Sequence, residues 1–336
     1  MSIVMSRAPF RVSFFGGGSD YPTWLDNEPG AVLSTTIDKY IYITCRYLPP
    51  YLGSKHRVVW RYVETVDSIA EILHPAVREG LRFLKFDDRL GIEMHYQGDL
   101  PSQSGMGSSS TFAVAMLHAL MALRGKDVDR QTLAEMAIEL EQECLKDTVG
   151  YQDQVAAAFG GINLISFPKR GTFDVNPILL PKQRERDFVS HLMLIFLGRR
   201  RLGGGIASDV VQNLADRSTS IRRMVQMVSE GAAILRHGDL NDFGRLLHEA
   251  WELKRGLAAS VSNSDVDDFY RRGREAGAIG GKLLGAGGTG FLLMYVPPDR
   301  QEAVRQAMSP CVHVPFALDH DGACVVYRAT DSLVAP

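Results

Sequence analysis

Residues 39–47 (KYIYITCRY) and 57–63 (RVVWRYV) are dense in β-branched and aromatic side chains, a pattern that predicts strands. Residues 92–97 read as another. Residues 111–123 (TFAVAMLHALMAL) are apolar nearly all round and predict a buried helix. Over 131–146, Leu133, Met136, Ala137, Leu140 and Cys144 share one stripe at helical spacing, predicting a second helix. Turn formers and charges then run from Phe167 to about Asp187, which places a domain seam there and divides the chain into 1–186 and 187–336.

The second half opens with a predicted strand at 191–197, followed by long helices over 216–237 and 239–255. A shorter helix at 266–277 leads to a glycine-rich turn and the strand 291–296. A helix at 301–308 and a strand at 323–328 close the pattern. Strands and helices alternate irregularly in both halves, which predicts two α+β domains over a doubly wound parallel sheet.

Composition narrows the function classes. The chain has 336 residues, 45% hydrophobic and 23% charged, with a net charge of -2. No strong field points to nucleic acid and no basic run to a membrane surface. Cys45, Cys144, Cys311 and Cys324 lie far apart without a CxxC pair, so they read as reduced, mostly apolar thiols rather than zinc ligands. No apolar run approaches the ~20 residues of a membrane span, and no secretory signal is evident. The expectation is a cytoplasmic enzyme or binding protein with a small-molecule partner; a homodimer is left open.

Three glycine-rich segments carry the chemistry. The first, residues 7–21 (RAPFRVSFFGGGSDY), runs a short strand over 10–15 into Gly16, Gly17 and Gly18, followed by Asp20 and Tyr21. Glycines let a backbone approach a ligand closely, and Asp20 can accept from sugar hydroxyls. Alone, the segment also fits a glycine turn capped by aspartate. The second, residues 98–111 (GDLPSQSGMGSSST), directly precedes the buried helix. Unpaired N–H groups and the positive dipole end at a helix start suit phosphates. Ser108, Ser109 and Ser110 exceed what one N-cap needs. Without a lysine, this is not a GxxxxGK[ST] loop. The third is residues 280–291 (GGKLLGAGGTGF), where Gly285, Gly287 and Gly290 formally satisfy GxGxxG. A dinucleotide loop needs a strand before and a helix after. The pattern here predicts the reverse, so a glycine loop closing over a ligand fits better.

In this order and spacing the three segments resemble the GHMP kinase superfamily, which includes galactokinase and the homoserine, mevalonate and phosphomevalonate kinases. Residues 101–110 match its PxxxGxGSSS-type phosphate loop. Residues 285–291 match its GxGxGGF-type loop, with Thr289 in place of a usual glycine. RAPFRVSFFGGGSDYP, PSQSGMGSSSTFAV, VGYQDQVAAAFGGIN and HEAWELKRGLAASVSN look most like the D-glycero-D-manno-heptose 7-phosphate kinases and their fucose-kinase relatives. The resemblance implies an α+β, two-domain fold with the active site in the interdomain cleft, and ATP and Mg²⁺ as cofactors. It also implies a heptose 1,7-bisphosphate product that feeds GDP-heptose synthesis for a capsule or other surface glycan. A kinase for free fucose, galactose or another hexose is the alternative, and a non-catalytic ligand-binding relative a further one.

The resemblance also assigns roles. Asp153, in GYQDQ, matches the catalytic aspartate of the galactokinase GIMDQ segment and would accept or orient the proton of the attacking hydroxyl. It also fits a helix N-cap. Arg11 matches the basic residue of the first motif and would keep Asp153 ionised. The ATP phosphates fall to Pro101, Gln103, Ser104, Gly105, Met106, Gly107, Ser108, Ser109 and Ser110. Mg²⁺ falls to Ser109 and Glu141, the latter twelve residues before Asp153; a surface glutamate beside Glu139 and Glu143 is the plainer alternative. The sugar falls to Gly17, Gly18, Asp20, Tyr21, Gly287 and Gly288. For a distal phosphate the candidates are Arg7, Lys282 and the run Arg199, Arg200 and Arg201, which otherwise reads as a solvated basic loop.

Overall fold

The computed structural model describes residues 3–198 and 205–329, so Arg199, Arg200 and Arg201 lie outside the described residues. The strands are β1 (Ile3–Phe15), β2 (Gly30–Leu48), β3 (His56–Val59), β4 (Val63–Val66), β5 (Gly91–Gly98), β6 (Ile162–Phe167), β7 (Asp174–Pro177), β8 (Leu192–Phe196), β9 (Gly280–Leu283), β10 (Phe291–Tyr295), β11 (Val312–Val314), β12 (Leu318–Asp319) and β13 (Cys324–Ala329). The helices are α1 (Pro22–Leu25), α2 (Pro75–Phe83), α3 (Ser108–Leu123), α4 (Arg130–Glu139), α5 (Gln152–Phe159), α6 (Lys182–Ser190), α7 (Ile206–Asn213), α8 (Ser218–His237), α9 (Leu240–Arg255), α10 (Ser264–Glu275) and α11 (Gln301–Ala307).

Among the described residues the strands form two sheets, with helices packed against both, an α+β arrangement as expected. The first sheet runs β13-β1-β2-β5-β3-β4. Its spine is the antiparallel pair β1–β2, whose register shifts at Pro9/Arg11 and again at Ser13/Phe15. Bulges of this kind bend a strand and re-aim its side chains, here at Arg11 and Ser13. On its far edge β2 pairs in turn with β6, β12 and β5. The second sheet, β11-β8-β10-β9, is antiparallel.

α3 is buried nearly all round, as its apolar sequence requires, and packs on β1 and β2 with α4 and α5 beside it. α8 lies on β1 and β2, and α9 on β9. An aromatic cluster joins the halves. Phe243 of α9 meets Phe14 and Phe15 of β1 and Phe188 of α6, with ring centroids 5.1, 5.0 and 4.9 Å apart. Edge-to-face contacts at these separations add about 0.5–1.5 kcal/mol each beyond burial.

Several local expectations change. The strand expected over 57–63 splits into β3 and β4 around Trp60, whose indole donates to the buried Glu64 at 2.6 Å. The helix expected over 131–146 ends at Glu139 and continues as a π turn, Leu140–Cys144. The wider turn breaks the stripe, so Cys144 is exposed while Glu141 is fully buried. The helix expected before the third glycine segment is present as α10, but the segment itself, expected to be a turn, opens with the strand β9. Its glycine-rich residues gain strand geometry from pairing with β10 rather than from propensity. A strand, not a helix, still follows, so the dinucleotide topology is absent. Finally, β12 and β13, assigned by the sequence division to 187–336, hydrogen-bond to β2 and β1 of the first sheet.

Candidate active site

β1 delivers Arg11 and Ser13 and then breaks at Gly16, beyond which Gly17, Gly18, Asp20 and Tyr21 follow within one turn. These residues line a cavity of about 200 Å³ together with Gly150, Gln152, Asp153, Lys254, Lys282, Gly285 and Ala286. The cavity therefore takes residues from both halves of the chain.

Its centre is an ion pair between residues 142 positions apart. Arg11 donates through Nε to Asp153 Oδ1 at 2.6 Å and through Nη2 to Oδ2 at 2.8 Å. This two-pronged geometry is the strong form of a charge-assisted bond. The third guanidinium nitrogen, Nη1, donates to the Gly105 carbonyl at 2.8 Å, tying the pair to the second glycine segment. Asp153 sits in the first turn of α5, so it does not cap the helix.

Within the second segment the loop gives way to α3 at Gly107, the residue before the helix, in left-handed conformation at φ 74°. A Cβ on Gly107 would stand 3.0 Å from Asp153 Oδ2, so only glycine leaves the aspartate its place against the helix start. The first N–H groups of α3 have no intrahelical partner and point outward there. Gln103, also left-handed, donates its N–H to Ser108 Oγ at 3.2 Å and closes the loop. Pro101 is half-buried, whereas Met106 is fully buried. Met106 anchors the loop with its side chain and has only main chain to offer a nucleotide. Ser104 is buried with an unpartnered Oγ, and its carbonyl accepts from Phe291 N at 3.1 Å.

Glu141 comes to this loop through the π turn. Ser109 Oγ donates to its Oε1 at 2.8 Å and Gln154 Nε2 to its Oε2 at 2.6 Å. Burial pushes its carboxyl up to about 7 and the charge of Asp153 adds to this, while the bonds from Ser110, Ser109 and Gln154 pull the other way. A buried carboxylate supported only by neutral donors, beside a phosphate-type loop, suits a divalent cation. Among the described residues no group of three or more His, Cys, Asp and Glu side chains is placed to hold a metal. Ser109 and Glu141 are the residues here that could offer oxygens to a Mg²⁺ ion, which takes few protein ligands when phosphates and water complete its shell.

Asp20 is buried and accepts from Gly18 N (3.1 Å), Gln152 N (3.2 Å) and Gln152 Nε2 (3.0 Å). Burial raises its pKa and Asp153 adds to the rise, against the lowering by those N–H bonds. Burial likewise raises the Tyr21 hydroxyl.

Three expected substrate residues lie elsewhere. Arg7 is four positions before Arg11, about 13 Å along an extended strand. It stacks on Tyr40 (4.3 Å) and pairs with Asp321, away from the cavity. Gly287 and Gly288 pack on Val261 and Asn263; it is Gly285 and Ala286 that reach the cavity. Gly285 presses on Gly105, where a Cβ would come within 2.4 Å of the Gly105 Cα, so the third segment lies flat on the second. Thr289, standing where a glycine is usual, donates to the Gly198 carbonyl at 3.0 Å.

Ser13, Gln152, Gln154 and Lys254 were not singled out from the sequence. Lys254 left a signal. Leu247, Ala250 and Trp251 form the buried stripe of α9, and Lys254 falls at the next position of that stripe. A lysine on an apolar stripe calls for a polar destination.

Comparison with known proteins agrees with this geometry. Residues 68–161 match the GHMP kinases N terminal domain and residues 232–312 the GHMP kinases C terminal domain. The chain is 26% identical over 330 residues to a D-glycero-alpha-D-manno-heptose 7-phosphate kinase of Campylobacter jejuni subsp. jejuni, covering 92% of this chain and 94% of that one. It is 26% identical over 325 residues to a bifunctional fucokinase/GDP-fucose pyrophosphorylase of Arabidopsis thaliana, covering 89% of this chain and 30% of that protein. A solved D-glycero-D-manno-heptose 1-phosphate kinase from Bacteroides thetaiotaomicron shares the fold, with a TM-score of 0.80, 24% identity, and 97% and 100% of the two chains covered. With both of the family's domains matched in chain order, the protein is a phosphotransferase enzyme and belongs to the GHMP kinases.

Proposed function

We propose that the enzyme transfers the γ-phosphoryl group of ATP to the anomeric hydroxyl of D-glycero-D-manno-heptose 7-phosphate, giving the 1,7-bisphosphate for GDP-heptose synthesis. The observation that carries the reading is the Arg11–Asp153 pair, seated against Gly107 at the start of α3 and facing the cavity that holds Asp20.

The loop 101–110 and the N-terminus of α3 hold the ATP phosphates, with N–H groups and hydroxyls aimed at negative charge. Ser109 and Glu141 would hold Mg²⁺, which supplies charge neutralisation on the phosphate oxygens. Asp20, fixed by Gln152 and Gly18, reads sugar hydroxyls. Asp153 takes the proton of the attacking hydroxyl as the new O–P bond forms and the bond to the ADP oxygen breaks. Arg11 keeps Asp153 ionised and oriented, and stabilises charge on the phosphoryl group in flight. Most of the acceleration comes from positioning and electrostatics, since phosphoryl transfer needs little covalent help.

A kinase for free fucose or galactose is the second reading, favoured by the similarity to the fucokinase. A coupled ADP-release assay over heptose 7-phosphate, fucose, galactose and mannose separates them. Turnover confined to unphosphorylated sugars removes the heptose phosphate.

A further inference from the structure

Lys254 and Lys282 come from different elements, α9 and β9, and both line the cavity of Arg11, Asp20 and Asp153. Lys282 is 3% exposed and donates to the Phe14 carbonyl at 2.8 Å. Lys254 is half-buried and donates to the carbonyls of Leu283 (2.8 Å) and Gly285 (2.5 Å). Among the described residues neither lysine pairs with a carboxylate.

An ammonium carries three N–H donors, so one remains on Lys254 and two on Lys282. Buried cations bonded only to neutral carbonyls are costly unless an anion joins them. Burial brings Lys282 down to about 7, with Arg11 adding to the fall. It lowers Lys254 well below the usual lysine range, with Lys282 and Arg11 adding and Asp153 opposing. The carboxylates on this cavity are already engaged: Asp153 by Arg11, and Asp20 by Gln152 and Gly18. Ser13, 7% exposed, lines the same cavity with a buried hydroxyl that has no partner.

Position decides which anion belongs here. No residue of the loop 101–110 lines this cavity, whereas Gly17, Gly18, Asp20 and Tyr21 do. The lysines therefore stand on the acceptor's side of the Arg11–Asp153 pair, and the ATP phosphates have their own donors on the other. We propose that Lys254 and Lys282, with the Ser13 hydroxyl, form a subsite for a phosphate group that the acceptor sugar already carries. This rests on the reading of the enzyme as a sugar kinase and deepens it, since such a subsite selects phosphorylated over free sugars.

The test is titration of inorganic phosphate into the full chain saturated with a non-hydrolysable ATP analogue, for wild type, Lys254→Met, Lys254→Arg and Lys282→Met. The analogue occupies the donor site, so the heat reports the acceptor side. Wild type is expected to bind one phosphate. The two methionine variants should bind it at least 10-fold more weakly, Lys254→Arg should retain most of the affinity, and analogue affinity should change less than 2-fold. The proposal is overturned if loaded wild type takes no phosphate, or if neither methionine variant weakens it. It is equally overturned if the variants lose the analogue instead, which would place the lysines on the donor. Lys282→Met and Lys254→Arg carry the test if Lys254→Met disturbs the β9–β10 turn. Because no turnover is involved, an enzyme inactive on every sugar would count against the kinase reading and leave this measurement intact.

Discussion

Replacing Glu141 by glutamine separates what this carboxylate costs the fold from what it does for the reaction. The side chain is fully buried, and its carboxyl rises from the ordinary 4.5 to about 7. Between those values the native state holds a proton that the unfolded chain has released. Stability therefore falls as pH rises from 4.5 through 7, and above 7 the full penalty is present. At about 1.4 kcal/mol per pKa unit, the penalty at pH 8 is about 3 kcal/mol. Glutamine has the shape of the neutral acid and keeps partners in Ser109 and Gln154, so Glu141→Gln escapes this penalty. With an unfolding entropy of about 0.7 kcal/mol/K for a chain this long, its melting temperature in EDTA at pH 8 should lie about 4 °C above wild type. The gain should shrink to about 2 °C at pH 5.5 and vanish near pH 4.5. The same variant should lose at least 100-fold in Mg²⁺-dependent turnover with ATP. Differential scanning calorimetry across pH, beside a coupled assay, reads both. A variant that melts at or below wild type at pH 8, or whose gain is the same at every pH, refutes the reasoning.

Other perturbations address the rest of the site. Asp153→Asn keeps one acceptor for Arg11 but cannot take a proton; kcat should fall by about 10²–10⁴ while binding of a fluorescent ATP analogue changes little. In Gly150→Ala the new Cβ would stand 1.9 Å from Asp20 Oδ2. Displacing Asp20 should raise the acceptor KM by about 10-fold, at one buried hydrogen-bonding side chain's worth of energy, and leave the ATP KM within 2-fold. Gly285→Ala forces a side chain onto Gly105 at a φ of 69°, and overpacking of this kind costs about 1–3 kcal/mol, visible as a lower urea midpoint. Unchanged stability there would mean the two glycine segments do not press together in solution.

Much of this was legible from residues close together in the chain. α3 reads as buried because its side chains are apolar on every face, and the loop before it reads as a phosphate cradle because small residues precede a helix start. Asp20, Asp153 and Arg11 could be singled out by motif. Arg7 could not be rejected, since only the length of β1 shows that four residues carry it out of reach. Gly287 and Gly288 look interchangeable with Gly285 as letters; the β9–β10 turn decides which of them meets the cavity.

The amino-acid sequence by itself determined the helices and strands with strong periodicity and the three glycine segments. Those features depend on neighbours one to four positions apart, and local sterics act at that range. Tertiary structure alone decided that Arg11 meets Asp153, that the π turn swings Glu141 inward to Ser109, and that Lys254 and Lys282 share one wall. These pairings join residues 28 to 142 positions apart. Each depends on strand register, helix rotation and the packing of the two halves, which no local pattern encodes.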